Sequence, residues 1–233
     1  VGELWGNAGR WVGPRCFDAT MNYKFFRDPV MEFFGKSAIS AAALDERLAP
    51  GRFQYPPQAV AVMMNLIDSH DTPRFLTATR DVRRLMLAAM FQMAYVGMPT
   101  VWYGDEIGME GEKDPDCRRP FDWRYEGDPR KVGLRDYYRA LGQTRRATPA
   151  LSRGSFQTVA AADHGYAFAR VLEGKAALAL FNVGASPVEL VLDPATVAGL
   201  PGGAGRAFTV AVGTEVFAQA GGGALATGAV VDL

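Results

Sequence analysis

The stretch Asn65-Leu66-Ile67-Asp68-Ser69-His70-Asp71-Thr72-Pro73-Arg74, the run 81–94 behind it and Thr100-Val101-Trp102-Tyr103 behind that decide the fold class. Residues 65–68 and 100–103 are short, mostly apolar runs of strand length. Between them Val82, Leu85, Met86, Ala89 and Met93 recur at helical spacing, with Arg83 and Arg84 among the intervening positions, which predicts an amphipathic helix. A strand, a helix and a second strand in this order make a parallel pair with a helical crossover. The unit repeats on both sides. Phe17-Asp18-Ala19-Thr20-Met21 reads as a strand followed by helical stretches around 28–34 and 37–48. A further helix runs from about Leu134 to Arg146, with Leu134, Tyr137, Tyr138 and Leu141 on one face. With the stub at residues 1–5 this makes about four parallel strands, half of what a closed (β/α)8 barrel needs.

Beyond Arg153 the composition changes. Charged residues fill 41 of the first 153 positions but 9 of the last 80, and all four tryptophans precede the change. Short β-rich runs at 156–159, 166–172, 176–181, 188–192, 207–212, 215–217 and 229–231 alternate with Gly-rich turns, which predicts an antiparallel sandwich. His164, in Asp163-His164-Gly165, sits in a turn signal and reads as a turn residue. The expected organisation is therefore a half-barrel over residues 1–150 and a β-sandwich over residues 151–233.

Lys plus Arg is 25 and Asp plus Glu is 25 in 233 residues, so no excess positive field exists to hold a nucleic acid or an anionic membrane. No apolar run approaches the roughly 18 to 20 residues that span a bilayer. Neither nucleic acid nor membrane is expected as a partner. Cys16 and Cys117 lie far apart with no Cys-x-x-Cys, which argues against a disulfide framework and a zinc site and favours a reducing, cytoplasmic compartment.

The polar residues of interest fall where strands end: Glu3 beside Trp5, His70-Asp71 after 65–68, and Asp105-Glu106 after 100–103. In a parallel barrel these ends form one rim, so the groups would converge on one cleft. Each also has an ordinary alternative in its local sequence. Glu3 reads equally as a solvated carboxylate, Asp71 as a turn cap before Thr72-Pro73, and His70, Trp5 and Trp102 as packing residues. Asp105 and Glu106 read as loop caps or partners of the following arginines.

Four stretches in this order, Gly2-Glu3-Leu4-Trp5, Phe17-Asp18-Ala19-Thr20-Met21-Asn22-Tyr23, residues 65–74 and residues 97–109 (Gly-Met-Pro-Thr-Val-Trp-Tyr-Gly-Asp-Glu-Ile-Gly-Met), resemble the α-amylase family of glycoside hydrolases. The next word, Asp114-Pro115-Asp116-Cys117-Arg118-Arg119-Pro120-Phe121-Asp122-Trp123, is similar to the neopullulanase, cyclomaltodextrinase and maltogenic amylase branch. The resemblance implies that Glu3 is the general acid/base and that Asp71 grips sugar hydroxyls of the distorted ring. It implies that His70 bonds the same sugar, that Asp114 and Arg118 reach glucose units further along, and that Trp5 lines the cleft beside the acid. The implied substrate is a neutral α-glucan, such as a cyclodextrin, pullulan or a maltooligosaccharide, cut at α-1,4 links.

Retaining hydrolysis of this kind needs a second carboxyl as nucleophile, about 5 to 5.5 Å from the first. The family carries it in an Arg-x-Asp word before the Glu-x-Trp word, and these residues do not include that word. The expectation is a C-terminal part of a longer hydrolase, inactive alone, whose open half-barrel edges invite pairing with a second copy. Two other readings share the motifs: a transglycosylase of the same family, such as a trehalose synthase, and a non-catalytic glucan-binding module. No cofactor and no metal are implied. The acidic residues Asp105, Glu106, Glu110, Glu112, Asp114 and Asp116 lack a calcium-loop pattern and are expected to pair with Arg118 and Arg119 or to contact sugar.

Overall fold

The computed structural model describes residues 1–199, 208–212 and 228–232. Its first part is a run of parallel pairings in sequence order. Gly2 pairs with Thr20, Met21 with Met64, and β1 (Met64–Asn65) with β2 (Met98–Pro99), all parallel. Each step is a pair of backbone bonds: Gly2 N–H to Ala19 O and Met21 N–H to Gly2 O, Met64 N–H to Thr20 O and Asn22 N–H to Met64 O, Met98 N–H to Met63 O and Thr100 N–H to Asn65 O, spanning 2.8–3.1 Å.

The two strands expected at 65–68 and 100–103 are displaced, ending at Asn65 and Pro99. Side chains replace the ladder there. Asn65 Nδ2 donates to Val96 O (2.7 Å), its Oδ1 accepts from Asn22 (2.9 Å), and the buried Gln92 amide donates to Asn65 O and Thr100 O, both at 2.9 Å. Pro99 has no N–H to give. Gly97 holds φ +109, and a Cβ there would lie 2.5 Å from Asn65 Nδ2.

Helices cross between these segments. Ser40 caps the helix Ala41–Phe53 by accepting from Ala43 N–H (3.2 Å). Asp81 caps Val82–Ala94 through Arg83 N–H (2.8 Å), and Asp128 caps Pro129–Ala147 through Arg130 N–H (2.9 Å). A short oxygen-bearing side chain at each start takes up amide donors that the first turn leaves unbonded. The stretch expected at 28–34 is a longer, unbroken run of π and α turns over residues 23–35, with Pro29 in the first turn of its α segment.

The antiparallel sheet that follows has the order β3 (Ser155–Ala162), β4 (Gly165–Leu172), β5 (Lys175–Asn182) and β8 (Gly228–Asp232), while β6 (Val188–Leu192) pairs with β7 (Phe208–Val212). The strand expected at 215–217 lies outside the described residues. Asp163-His164 joins β3 to β4 as a turn, and Glu173-Gly174 joins β4 to β5 with φ +51 and +75, as a two-residue hairpin of right-handed twist requires. β4 and β5 are buried on both faces, which explains their continuous apolar runs. Tyr166, Phe168, Ala177, Ala179 and Phe181 join the helical core around Phe91, whereas Ala167, Ala169, Leu178 and Leu180 pack with Leu190 and Leu192 of β6.

One buried cation joins the sheet to the helices. Arg170 on β4 donates to Ala94 O (2.8 Å), Leu151 O (2.7 Å), Gly154 O (2.9 Å) and Ser155 O (3.1 Å). Burial, with a further contribution from Arg145, lowers its pKa to about 9, so it remains charged at neutral pH.

Candidate active site

Glu3 follows the Gly2 pairing and residues 68–71 follow β1, so both leave the parallel segments at the same end. They meet there. His70 Nε2 lies 3.5 Å from Glu3 Oε1 and 3.3 Å from Asp71 Oδ2, and the ligand atoms of the three residues all fall within 4.8 Å of one another. Their side chains are partly open to solvent, 42% for Glu3, 35% for Asp71 and 25% for His70, as a site for an external ligand requires. Arg118 bridges two of the residues expected to bind sugar: Nη2 donates to Asp71 Oδ1 (2.8 Å) and Nε to Asp114 Oδ1. Trp5, half exposed, stacks on Tyr23 with centroids 3.9 Å apart and planes 10° apart. All six residues expected at the site, Glu3, Trp5, His70, Asp71, Asp114 and Arg118, therefore fall within one connected set of contacts.

Tyr23 and Ser69 were not singled out by sequence, yet they organise this set. Tyr23 Oη donates to Ser69 Oγ (3.0 Å) and reaches Glu3 Oε1 (3.3 Å), and Ser69 Oγ accepts from Asp71 N–H (3.2 Å). Burial, reinforced by the negative charges of Glu3 and Asp71, pushes the Tyr23 phenol up to about 12, so it stays protonated at neutral pH. The available signal was that Tyr23 closes the stretch Phe17–Tyr23 that carries part of the family resemblance. The backbone carbonyl of His70 accepts from the buried Cys117 thiol (2.9 Å), which ties the 114–118 loop under the site. His70 also lies beside Trp102, with centroids 5.8 Å apart.

The acidic residues after β2 correct one expectation. Asp114 and Asp116 pair with Arg118 and Arg119 as expected, and Glu106 caps Gly104 N–H (2.8 Å). Asp105 does not join the loop: it is buried and pairs with the equally buried Arg74 (3.1 Å), because its short three-residue helical turn points it inward under the site. We assign none of the site residues as a metal ligand. Among the described residues Glu3, His70 and Asp71 are the only group of three such side chains close enough to share an ion, and Arg118 already balances Asp71.

The parallel βα units thus deliver two carboxylates, an imidazole and an exposed aromatic ring to one rim. The alpha amylase catalytic-domain model matches residues 1–153, and the chain belongs to the α-amylase family. It is 42% identical over 176 residues to neopullulanase 2 of Thermoactinomyces vulgaris, covering 74% of this chain and 30% of that protein. It is 40% identical over 183 residues to a cyclomaltodextrinase of Thermoanaerobacter pseudethanolicus, covering 78% and 31%. Among solved structures, the cyclic α-maltosyl-(1→6)-maltose hydrolase of Arthrobacter globiformis superposes with a TM-score of 0.78 at 30% identity, covering 90% of this chain and 46% of that one. The chain thus spans about three-tenths of the length of these curated relatives.

Proposed function

We propose that these residues form part of the active site of a retaining α-glucan hydrolase that cleaves α-1,4 links in cyclodextrins, pullulan or maltooligosaccharides. The observation that carries this reading is the meeting of Glu3 with the His70–Asp71 pair beside Trp5. Glu3 protonates the leaving glycosidic oxygen and then takes a proton from the attacking water. Tyr23 and His70 both approach its Oε1, which fixes the carboxyl and leaves Oε2 to carry the proton. Asp71 and His70 bind hydroxyls of the reacting ring, and their hold tightens as positive charge develops on it. Trp5 offers a flat apolar face to a sugar ring, and Asp114 with Arg118 binds the neighbouring unit.

Asp71 is not the nucleophile in this reading, although its separation from Glu3 would permit it. The resemblance places Asp71 beside the sugar hydroxyls rather than beneath the anomeric carbon, and its contacts with Arg118 and His70 hold it in that hydroxyl-binding role. The nucleophilic carboxylate is supplied by residues outside this stretch, and the four parallel segments are half of a (β/α)8 barrel whose remaining half supplies it. Exposed Val1 and Met98, at the two outer segments, support a surface that other strands cover. The sheet beyond residue 150 is then a β-sandwich unit packed on the helices through the core around Phe91. Acid/base and nucleophilic carboxylates need no cofactor.

The test is release of reducing sugar from β-cyclodextrin, pullulan and maltohexaose by the longer protein that includes the other half of the barrel, and by its Glu3→Gln variant. Hydrolysis lost by at least a thousandfold in Glu3→Gln supports the reading. Glucan binding with no turnover in either protein supports a binding module instead, and a predominance of transfer products over reducing ends supports a transglycosylase.

A further inference from the structure

The chain between Pro99 and the helix Pro129–Ala147 is a βα loop, so it begins and ends at the rim that carries Glu3, His70 and Asp71. Its part through Arg118 serves the site already described. Its last part carries an aromatic group that the proposed chemistry does not use. Trp123 is 82% exposed, and the half-buried Phe121 braces it, with centroids 4.7 Å apart and planes at 60°. Tyr125 lies 6.1 Å from Phe121 and under the Arg135 guanidinium at 5.3 Å. The backbone beneath these rings is fixed. Asp122 accepts from Arg124 N–H (3.1 Å) and Lys131 Nζ (2.6 Å), Tyr125 N–H donates to Asp122 O (3.2 Å), and Trp123 N–H to Phe121 O (3.1 Å). Arg119 ties the group to the site: its carbonyl accepts from Tyr103 Oη (2.8 Å), and Tyr103 packs on Trp102, which lies beside His70. Trp123 stands five residues after Arg118, whose Nη2 holds Asp71, and five residues of extended chain span at most about 18 Å.

We propose that Trp123 is a glucan-binding platform outside the cleft, on which an α-glucan chain seated in the site continues. The inference rests on the α-glucan reading of the site and extends it from the bond that is cut to the length of chain that is held. A sugar ring offers an apolar face of C–H groups to an aromatic ring and hydroxyls around its edge. Trp123 supplies the ring, and its sequence neighbours Asp122, Arg124 and Glu126 supply charged partners for hydroxyls. A face that seats another protein is depleted of charge at its centre, whereas the one fully presented ring here is bordered by charged side chains. Bracing by Phe121 sets the ring before the ligand arrives, so little rotamer freedom is lost on binding. The chain has no net charge, which suits an uncharged polymer.

The experiment uses the longer protein that includes the other half of the barrel. Binding is read by affinity electrophoresis in gels containing soluble starch, in the Glu3→Gln background so that the polymer is not cut. Trp123→Ala should bind starch about tenfold more weakly, and Trp123→Tyr, which keeps a flat ring, should recover most of the loss. The side chain is exposed, so its truncation leaves the fold intact. With Glu3 present, Trp123→Ala should lower kcat/KM on soluble starch about tenfold relative to kcat/KM on maltotriose, which is too short to reach beyond the cleft. Unchanged starch affinity in Trp123→Ala overturns the proposal, as do equal falls on starch and maltotriose. Resistance of Trp123 to N-bromosuccinimide in the glucan-free protein overturns it too, because another part of the protein or a second copy then covers the ring. Maltotriose hydrolysis with unchanged starch affinity strikes the platform alone, whereas no turnover of either glucan strikes the reading of the site and the platform with it.

Discussion

Replacing Arg170 by methionine removes the joint between β4 and the helices while keeping most of its aliphatic volume. Four backbone carbonyls, Ala94, Leu151, Gly154 and Ser155, lose their donor, and Arg170 itself is fully buried. A buried acceptor left without a partner costs about 1–3 kcal/mol, so four of them at the low end cost about 4 kcal/mol. Relief of the desolvated cation offsets part of this, and water entering the gap offsets more, so we take the low end rather than the sum of the high values. Spread over a chain of this size, that is a melting-temperature loss of roughly 8–16 °C. The assay is urea unfolding, with the change read from the midpoint at constant m-value. Arg170→Lys should recover less than half of the loss, because an ammonium on a flexible stem cannot span carbonyls on three elements. A loss below about 1 kcal/mol in Arg170→Met would refute the reasoning, since it would mean that the carbonyls are already hydrated.

Phe91, fully buried among Phe26, Phe34, Tyr95, Phe168 and Phe181, should cost about 3–5 kcal/mol when cut to alanine, measured by chemical denaturation. Gly97→Ala should cost about 1–3 kcal/mol, because it forces a side chain into φ +109 and a Cβ against Asn65 and Met63 O; a neutral melt would show that the turn can relax. Arg118→Ala should leave the urea midpoint essentially unchanged, as both ion pairs are solvent-exposed, yet lower kcat/KM of the longer protein on maltooligosaccharides by about 10- to 100-fold through the loss of Asp71 and Asp114 alignment. Unchanged kcat/KM would remove Arg118 from the site.

Legibility in the sequence followed the range of the interactions. The helix Val82–Ala94 was readable because its cap Asp81 and its apolar face are local, and β4 and β5 because two-sided burial demands unbroken apolar runs. The starts of the parallel strands were misplaced because Asn65, Gln92 and Pro99 alter the ladder through side-chain chemistry that periodicity does not register. Tyr23 was hidden in the aromatic run Tyr23-Lys24-Phe25-Phe26, which reads as core. Arg170 reads as an ordinary strand charge, since one of its acceptors lies 76 positions away, and Asp105 meets Arg74 across 31 positions. Glu3 was singled out by family resemblance alone, because its own neighbourhood describes a solvated carboxylate equally well.

Glu3 as the acid/base is the point on which the functional reading turns, and external-nucleophile rescue tests it most directly. In the longer protein that carries the nucleophile, an aryl α-glucoside with a good leaving group needs no proton to form the glycosyl-enzyme, so Glu3→Ala should still complete that step and stall at hydrolysis. Added azide should then restore turnover in Glu3→Ala and yield a glycosyl azide of retained configuration, with no such rescue in Asp71→Ala. Absence of rescue in Glu3→Ala, or rescue in Asp71→Ala instead, would contradict the assignment.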